Sequence, residues 1–272
     1  MDIMIFRLIR LIKRDGFLLA FIRVLAKFLR VEIGIQSVKN KVWEILLKKY
    51  DYTVAHGAFK GMKLNKKVWW SKNDYITQTL GIYEEHILQK ITHFAKNGTT
   101  TLIDVGAADG YFAVGMVYSN IYQKVYAFEI EKEGRDRILE NANANKCNNK
   151  IKIFGEADVA SISKIINEED KVTIMIDIEG AEYDFLSDDM LTVLNGNHVV
   201  CELHPWMVDG GDNLQIKLLS KASKQFNVEL IKRDTYKPNM FSEFDNLSDE
   251  ERLIAVGEGR EKNMQWMVLS PK

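Results

Sequence analysis

The chain has 272 residues, of which 46% are hydrophobic and 28% charged, so it can bury the core of one large domain with an appendage. Its formal net charge is −1, but residues 1–49 carry 11 Lys and Arg against 4 Asp and Glu, a net +7 that leaves −8 for the rest. Two distant cysteines, Cys147 and Cys201, argue against a disulfide framework or a zinc cluster and favour a cytoplasmic location.

The first 30 residues have the pattern of two basic amphipathic helices, broken near Asp15 and Gly16. Cations such as Arg7, Arg10 and Arg14 recur at helical spacing between apolar residues. No window of about 18 apolar residues escapes a cation, which argues against a transmembrane helix, and no small-x-small cleavage site supports a signal peptide. We expect residues 1–49 to be a basic helical segment. Its first 30 residues either contact the anionic inner face of a membrane, pack on the protein or a second subunit, or bind RNA.

Residues 50–97 predict a lead-in to the main domain. The string "YTVAHGAFKGMKL" predicts two short strands around Gly57 and Gly61, and "NDYITQTLGIYEEHILQKITHFAKN" predicts a loop and a helix.

From residue 98 to 272, strands and helices alternate. The five apolar strands "TTTLIDV", "KVYAFEI", "IKIFGEA", "VTIMIDI" and "HVVCEL" are each followed by a segment of helical length. The last two, "FNVELIKRD" and "MQWMVLS", have no strong helix between them. This order predicts an α/β, Rossmann-like, doubly wound sheet, mostly parallel and closed by a C-terminal antiparallel strand pair. It is similar to the class I S-adenosylmethionine-dependent methyltransferase fold.

The stretch "IDVGAADGYFAVG" predicts a ligand site at the turn after the first strand, where open amide groups would face a ligand. Asp104 precedes this turn and suits an ammonium group, and Glu129 stands 23 residues beyond Gly106, the spacing of a ribose-binding carboxylate. The pyrophosphate-approach glycine of a G-x-G-x-x-G fingerprint is missing, which favours S-adenosylmethionine over NAD. The predicted cofactor residues here are Asp104, Gly106, Ala107, Asp109, Gly110, Glu129 and Ile130. Asp158 either contacts the adenine or caps a helix.

Acidic residues and one histidine end the fourth and fifth strands, in "IMIDIEGAEYDFL" and "VVCELHPW". Asp177, Glu202 and His204 are the predicted catalytic residues, with His204 or Asp177 removing a proton from the acceptor. In an alternative, the same three residues hold a divalent cation such as Mg²⁺ that acidifies the acceptor; our prediction is a site without metal. Purely structural roles stay open for these residues, as does a helix-starting role for Glu182.

The motifs "HGAFKGMKL", "GIYEEHI", "DVGAADGYF", "VYAFEIE" and "IDIEGAE", in this order from about residue 50, resemble the FkbM family of S-adenosylmethionine-dependent methyltransferases. The resemblance implies the class I fold, S-adenosylmethionine as methyl donor and a hydroxyl of a sugar or other natural product as acceptor. It implies cofactor contacts by Asp104, Gly106, Gly110 and Glu129, with Glu84 as a further contact. Many members have Asn where this sequence has Ala108.

The resulting prediction is an O-methyltransferase of a sugar, glycan or related natural product, in cell-surface polysaccharide or secondary-metabolite biosynthesis. Nucleic acid is not expected as a substrate, because the chain has no D/N-P-P-Y/F stretch and no Pro-Cys pair. A Rossmann-type oxidoreductase is disfavoured because no Tyr-x-x-x-Lys pair occurs. A non-catalytic, membrane-associated scaffold with this fold is a third alternative, and a homo-oligomer is compatible with all of them.

Overall fold

The computed structural model describes residues 31–67, 72–233, 238–258, 260 and 262–272. The predicted amphipathic helices of residues 1–30, with the membrane contact assigned to them, lie outside these ranges. Within the ranges, no helix has both the length and the apolar character that a membrane crossing needs. The chain divides into two units: residues 50–237 with 257–272, and the N-terminal part up to residue 49 with 238–256.

The helices, in chain order over these ranges, are α1 Val31–Tyr50, α2 Lys72–Leu80, α3 Glu85–Lys96, α4 Tyr111–Tyr118, α5 Lys132–Ala144, α6 Val159–Glu168, α7 Glu182–Phe185, α8 Asp188–Leu194, α9 Gly211–Ala222 and α10 Asp249–Val256. The strands are β1 Thr101–Val105, β2 Lys124–Phe128, β3 Ile151–Phe154, β4 Val172–Ile176, β5 His198–Leu203, β6 Phe226–Lys232 and β7 Gln265–Pro271. Short 3₁₀ turns lie at Asn148–Lys150, Pro205–Met207, Pro238–Met240 and Ser242–Phe244.

The strands form one seven-stranded sheet in the order β3-β2-β1-β4-β5-β7-β6. Strands β1 to β5 are parallel to one another, while β7 pairs antiparallel with both β5 and β6. The predicted α/β fold with a C-terminal antiparallel pair is therefore confirmed. Val105 is in register with Phe128 on one side and with Ile176 on the other, so β1, β2 and β4 end level with one another. The residues that follow these three strands meet at one edge of the sheet.

The two faces of the sheet are both buried. On one face, strand residues such as Ile103 and Val105 pack with Ile162 of α6 and Leu191 of α8. Successive side chains of a strand point to opposite faces, so Asp104 lies on the other face. Burial on both faces explains why these strands have near-continuous apolar sequences.

The lead-in to the sheet differs from the prediction. Where two short strands were expected over residues 52–64, the described chain has only one antiparallel bridge, between Thr53 and Lys63. Backbone hydrogen bonds still join the two segments, from the N–H of Val54 to Met62 and from the N–H of Leu64 to Tyr52. Between the segments, Phe59 is fully buried and packs so closely on Gly115 that a Cβ there would lie 2.4 Å from its ring. The loop and single helix predicted next are instead two helices, α2 and α3. The polar stretch from residue 235 to 263, expected to lack a strong helix, contains the eight-residue helix α10.

The smaller unit is linked by ion pairs between distant parts of the sequence. Lys41 of α1 contacts Glu251 of α10 at 2.9 Å, and Lys49 contacts Glu243 at 2.9 Å. Both lysines are about half exposed, and a pair such as Lys41–Glu251, in which both side chains reach solvent, contributes little to stability in water. Glu243 is buried, with a side chain that is 2% exposed.

Gly106 is the closest backbone approach at the sheet edge. Its φ is 86°, and a Cβ there would lie 1.8 Å from the carbonyl oxygen of Asp177. We expect Gly106→Ala to lower the free energy of unfolding by about 2–5 kcal/mol, because it combines a left-handed backbone with a steric clash. Urea denaturation measures this. Gly155→Ala is the matched control, since a Cβ at Gly155 meets nothing within 4 Å. Equal stability of the two variants would contradict the close approach.

Candidate functional site

A cavity of about 600 Å³ lies at the carboxyl ends of β1, β2 and β4. Its wall carries eight acidic residues and, within the described chain, no Lys, Arg or His. The acidic residues are Asp104, Asp109, Glu129, Glu131, Glu156, Asp177, Glu179 and Asp184. The apolar part of the wall is formed by Phe128, Ile130, Ala157, Ile178 and Phe185, among others. A ligand that combines positive charge with an apolar group suits this wall better than a polyanion does.

The turn after β1 is closed by hydrogen bonds within the protein. The N–H groups of Gly106 and Ala107 both donate to the carbonyl oxygen of Phe128 at 2.9 Å. The N–H of Gly110 donates to the carbonyl oxygen of Ala107 at 2.8 Å. The expectation that this turn presents open amide groups is therefore wrong. A turn whose N–H groups are already used offers little to a pyrophosphate.

Glu129 ends β2 and is only 7% exposed. Its two carboxylate oxygens accept the N–H groups of Ala108 at 2.9 Å and of Glu131 at 2.8 Å. Burial raises the pKa of Glu129, and these two hydrogen bonds oppose that increase. Each oxygen keeps a second lone pair, so the carboxylate is held in place and can still accept hydrogen bonds from a ligand.

Gly134, in the first turns of α5, is a site residue that the sequence prediction missed. A Cβ at Gly134 would lie 2.6 Å from Cγ of Glu129 and 2.9 Å from the carbonyl oxygen of Ala108. The glycine therefore lets α5 pack directly on Glu129 and on the turn. Its signal in the sequence is a glycine inside a helix, which costs about 1 kcal/mol relative to Ala and so indicates a packing requirement.

Asp104 is 3% exposed, and its Oδ2 has no hydrogen-bond partner among the described residues. Burial and the charges of Asp177 and Glu129 raise the pKa of Asp104 to about 7, while the N–H of Ala113 lowers it. A buried carboxylate with one unpartnered oxygen on a cavity wall suits a cationic ligand group. Asp109, on the same wall, also has a pKa raised by burial, to about 6.

Three predicted cofactor residues are not on the cavity wall. Glu84 is buried and forms an ion pair with Arg260 at 3.0 Å. Asp158 caps α6, where its carboxylate accepts the N–H of Ser161 at 2.7 Å, so of its two alternatives the structure has the cap. Gly110 begins α4 with a φ of 85° and packs on Ile138. The other predicted cofactor residues, namely Asp104, Gly106, Ala107, Asp109, Glu129 and Ile130, all line the cavity.

The three predicted catalytic residues lie close together, with Asp177 and Glu202 beside the ring of His204, which is 1% exposed. Its Nε2 lies 3.7 Å from Oδ1 of Asp177 and 3.9 Å from Oε1 of Glu202. Glu179, which the prediction left out of the catalytic set, is as near, with its Oε2 3.6 Å from Nε2. Glu179 has the left-handed φ of 52° and lies in the turn that follows β4. We call Asp177, Glu179, Glu202 and His204 the acidic cluster.

Glu182 supports this cluster from behind. It is fully buried, and its carboxylate oxygens accept the backbone N–H groups of Gly180 at 2.8 Å and of His204 at 2.6 Å. Burial alone would raise the pKa of Glu182, but the hydrogen bonds and the nearby His204 ring lower it overall. Glu182 therefore joins the end of β4 to the end of β5, which is more than the helix-starting role considered from the sequence.

The electrostatics of the acidic cluster favour holding a proton near neutral pH. Burial would lower the pKa of His204, but the carboxylates of Glu182, Asp177 and Glu179 raise it overall. Burial and the charge of Asp177 raise the pKa of Glu202 well above its ordinary value. Such groups directly behind the cavity wall, in contact with Asp177 and Glu179 that line it, are suited to proton transfer.

No protein-family model matches the chain, and no curated protein sequence matches it. Solved structures similar to it include a putative tRNA (m1A22) methyltransferase of Streptococcus pneumoniae, with 15% identity and a TM-score of 0.44 over 68% of this chain and 69% of that one. An O-methyltransferase of Bacillus cereus in complex with SAH has 12% identity and a TM-score of 0.43 over 87% and 91% of the two chains. A precorrin-6y C5,15-methyltransferase of Geobacter metallireducens has 10% identity and a TM-score of 0.45 over 78% and 94%. At such identities the likeness concerns the fold alone, so the reaction has to be inferred from the site residues.

Replacing Glu182 tests its bridging role. Glu182→Gln keeps the shape but has one acceptor oxygen instead of two, so the N–H of Gly180 or of His204 loses its partner. We expect the free energy of unfolding to fall by about 1–3 kcal/mol, the cost of a buried unsatisfied N–H group. Urea denaturation is the measurement, with Glu168→Gln on the exposed face of α6 as the control. A Glu182→Gln protein as stable as this control would refute the bridge.

Proposed function

We propose that this protein is an S-adenosylmethionine-dependent methyltransferase that acts on a hydroxyl group of a sugar, glycan or related natural product. The observation that carries the proposal is the cavity wall, with eight carboxylates and no basic residue among those described. S-adenosylmethionine has a sulfonium and an ammonium group, and its net charge is positive. The pyrophosphate of NAD would instead be repelled by this wall.

Particular residues fit the parts of this cofactor. The unpartnered carboxylate oxygen of Asp104 suits the ammonium group, and the free lone pairs of Glu129 suit two ribose hydroxyls. Ile130 is 69% exposed and, like Ala157, belongs to the apolar part of the wall, where an adenine ring would cover it. The small residues of the turn at Gly106 leave room for the amino-acid end.

The cofactor supplies a methyl group that its sulfonium already activates. The protein then has to align the acceptor oxygen with this methyl group and take up the hydroxyl proton. We assign the proton to the acidic cluster. Asp177 lines the cavity and can contact the acceptor, while His204 and Glu202 lie behind it within 4 Å of one another. As the acceptor oxygen forms its bond to the methyl carbon, the carbon–sulfur bond of the cofactor would break and release S-adenosylhomocysteine, and the hydroxyl proton would pass to the acidic cluster.

A hydroxyl acceptor is further supported by the resemblance of "DVGAADGYF", "AFE" and "IDIEGAE" to the FkbM family. Many acceptors of that family are glycans, which would link the chain to cell-surface polysaccharide or secondary-metabolite synthesis. A lipid-linked glycan would in addition give the basic residues 1–30 a role at the inner face of the membrane.

Transfer of radiolabelled methyl from S-adenosylmethionine tests the function. The purified protein is incubated with an extract of cells that lack its gene, in the presence of Mg²⁺ and Mn²⁺ salts. The extract is then separated into lipid-linked glycan, soluble metabolites and nucleic acid. We expect label in a glycan or metabolite fraction. Asp177→Asn should lower the rate about 100-fold or more, because a general base is lost. Label in RNA or DNA would contradict the proposed glycan or natural-product acceptor and identify nucleic acid as the acceptor. Cofactor binding without transfer of any label would favour the non-catalytic scaffold.

The raised pKa of Asp104 predicts how cofactor affinity depends on pH. Below a pKa of about 7 the carboxyl group is protonated and cannot pair with an ammonium group. Affinity for S-adenosylmethionine should therefore rise about tenfold from pH 6 to pH 8, as measured by calorimetry in metal-free buffer. Asp104→Asn should bind weakly at both values, with no such rise. An unchanged pH dependence in Asp104→Asn would assign it to another group.

A further inference from the structure

The distances within the acidic cluster are those of ligands around one ion. Nε2 of His204 is 3.6 to 3.9 Å from an oxygen of each carboxylate, and one ligand atom each from Asp177, Glu179 and His204 lies within 4.8 Å of the others. These separations are too long for hydrogen bonds. Bonds of about 2.0–2.3 Å to a shared metal ion place neighbouring ligand atoms about 3.0–3.7 Å apart, so a small closure would complete such a site.

Two buried groups in the cluster lack partners, which is the second sign of a ligand. His204 and Glu202 are each 1% exposed. Within the described chain, neither ring nitrogen of His204 and neither carboxylate oxygen of Glu202 makes a hydrogen bond that meets ordinary geometry. Buried polar groups of native proteins are almost always paired with protein, water or an ion. A cation between these two side chains would provide the missing partner.

Arg260 acts electrostatically on the acidic cluster, but it is paired with two other carboxylates. Arg260 contacts Glu84 at 3.0 Å and Glu258 at 3.5 Å. Its charge lowers the pKa of Glu179 and of Glu202, but it is shared with Glu84 and Glu258 and leaves the carboxylates that face Nε2 of His204 in excess. A divalent ion would offset two of their negative charges.

The His204 ring is oriented for coordination through Nε2. On its other side, Nδ1 lies 3.5 Å from Oε1 of Glu182, the oxygen that also accepts the backbone N–H of His204. A carboxylate behind an imidazole favours the tautomer with the proton on Nδ1. The lone pair of Nε2 then points at Asp177, Glu179 and Glu202.

We propose that Asp177, Glu179 and His204 bind a divalent first-row transition metal ion, with Glu202 as a fourth ligand. One imidazole nitrogen among carboxylates is a mixed set: nitrogen disfavours Mg²⁺ and Ca²⁺, and the absence of a thiolate favours Mn²⁺ or Fe²⁺ over softer ions. This set differs from the Mg²⁺ alternative considered from the sequence, because Glu179 joins it and because the nitrogen of His204 favours a transition metal ion over Mg²⁺.

The ion would face the cavity. Asp177 and Glu179 line the wall with side chains that are 24% and 37% exposed, whereas His204 and Glu202 lie behind them. Coordination positions left open would therefore point into the cavity. If the proposed function is correct, on which this role rests, the acceptor hydroxyl occupies such a position and is acidified there, and its proton passes to a cluster carboxylate because Nε2 is engaged.

A titration with Mn²⁺ tests the proposal. The full-length protein is first treated with chelator, and binding is monitored through the paramagnetic resonance signal of free Mn²⁺. We expect one bound equivalent in the wild type. Glu179→Gln and His204→Gln should weaken binding about tenfold or more, whereas Asp184→Asn, a carboxylate on the same wall outside the cluster, should not. No saturable binding up to millimolar Mn²⁺, or binding that both cluster variants retain, would overturn the site.

Two further measurements make the result independent of folding and of the reaction. With Co²⁺ as the probe, the visible absorption of the wild type should report a nitrogen ligand, and Glu179→Gln, changed at a partly exposed residue, should lose or shift this band. Affinity for S-adenosylhomocysteine is measured in chelator as well. Cofactor binding without metal binding would reject the metal site and leave the proposed function intact, whereas metal binding without cofactor binding would do the reverse.

Discussion

The site depends on one constraint, which is the negative charge at the carboxyl edge of the parallel sheet. Among the described residues, no basic side chain lies on the cavity wall to offset it. Because β1, β2 and β4 end level, Asp104, Glu129 and Asp177 meet there. Their mutual repulsion and burial raise the pKa of Asp104 to about 7 and make any cation in the cavity favourable. The proposed sulfonium cofactor and the proposed divalent metal ion would both be stabilised by this negative charge.

Backbone geometry keeps this charge in place. Gly106 allows β1 to turn against the carbonyl of Asp177, and Gly134 allows α5 to approach Glu129. Glu182 ties the end of β4 to the backbone of His204. The contact of Gly106 with Asp177 and that of Glu182 with His204 join groups that are far apart in the chain, so these carboxylates are fixed by the sheet and its helices as well as by their own loops. Such preorganisation holds charged side chains together that would separate in water.

The sheet was predictable from the sequence because apolar strands and helical segments alternate. The C-terminal pair was recognisable because the polar stretch between its strands has no strong helical pattern, although this stretch contains the short helix α10. The cavity residues Asp104 and Glu129 were predictable because strand ends share an edge. The sequence does not show where a side chain points or what it contacts. Glu84 and Asp158 have the residue type and chain position expected of cofactor residues, yet Glu84 is paired with Arg260 and Asp158 caps α6. The sequence places Glu179 at this edge of the sheet, but its approach to His204 became apparent only from the distances. A glycine inside a helix, as at Gly134, indicates a packing requirement without identifying the partner, which is Glu129.

A crystal structure of the protein with S-adenosylhomocysteine tests the central claim most directly. The account predicts density for the whole ligand in the cavity, with its amino group near Asp104, its ribose hydroxyls on Glu129 and its sulfur facing Asp177. A cavity that stays without ligand at saturating concentration, or a ligand bound elsewhere on the chain, would contradict it.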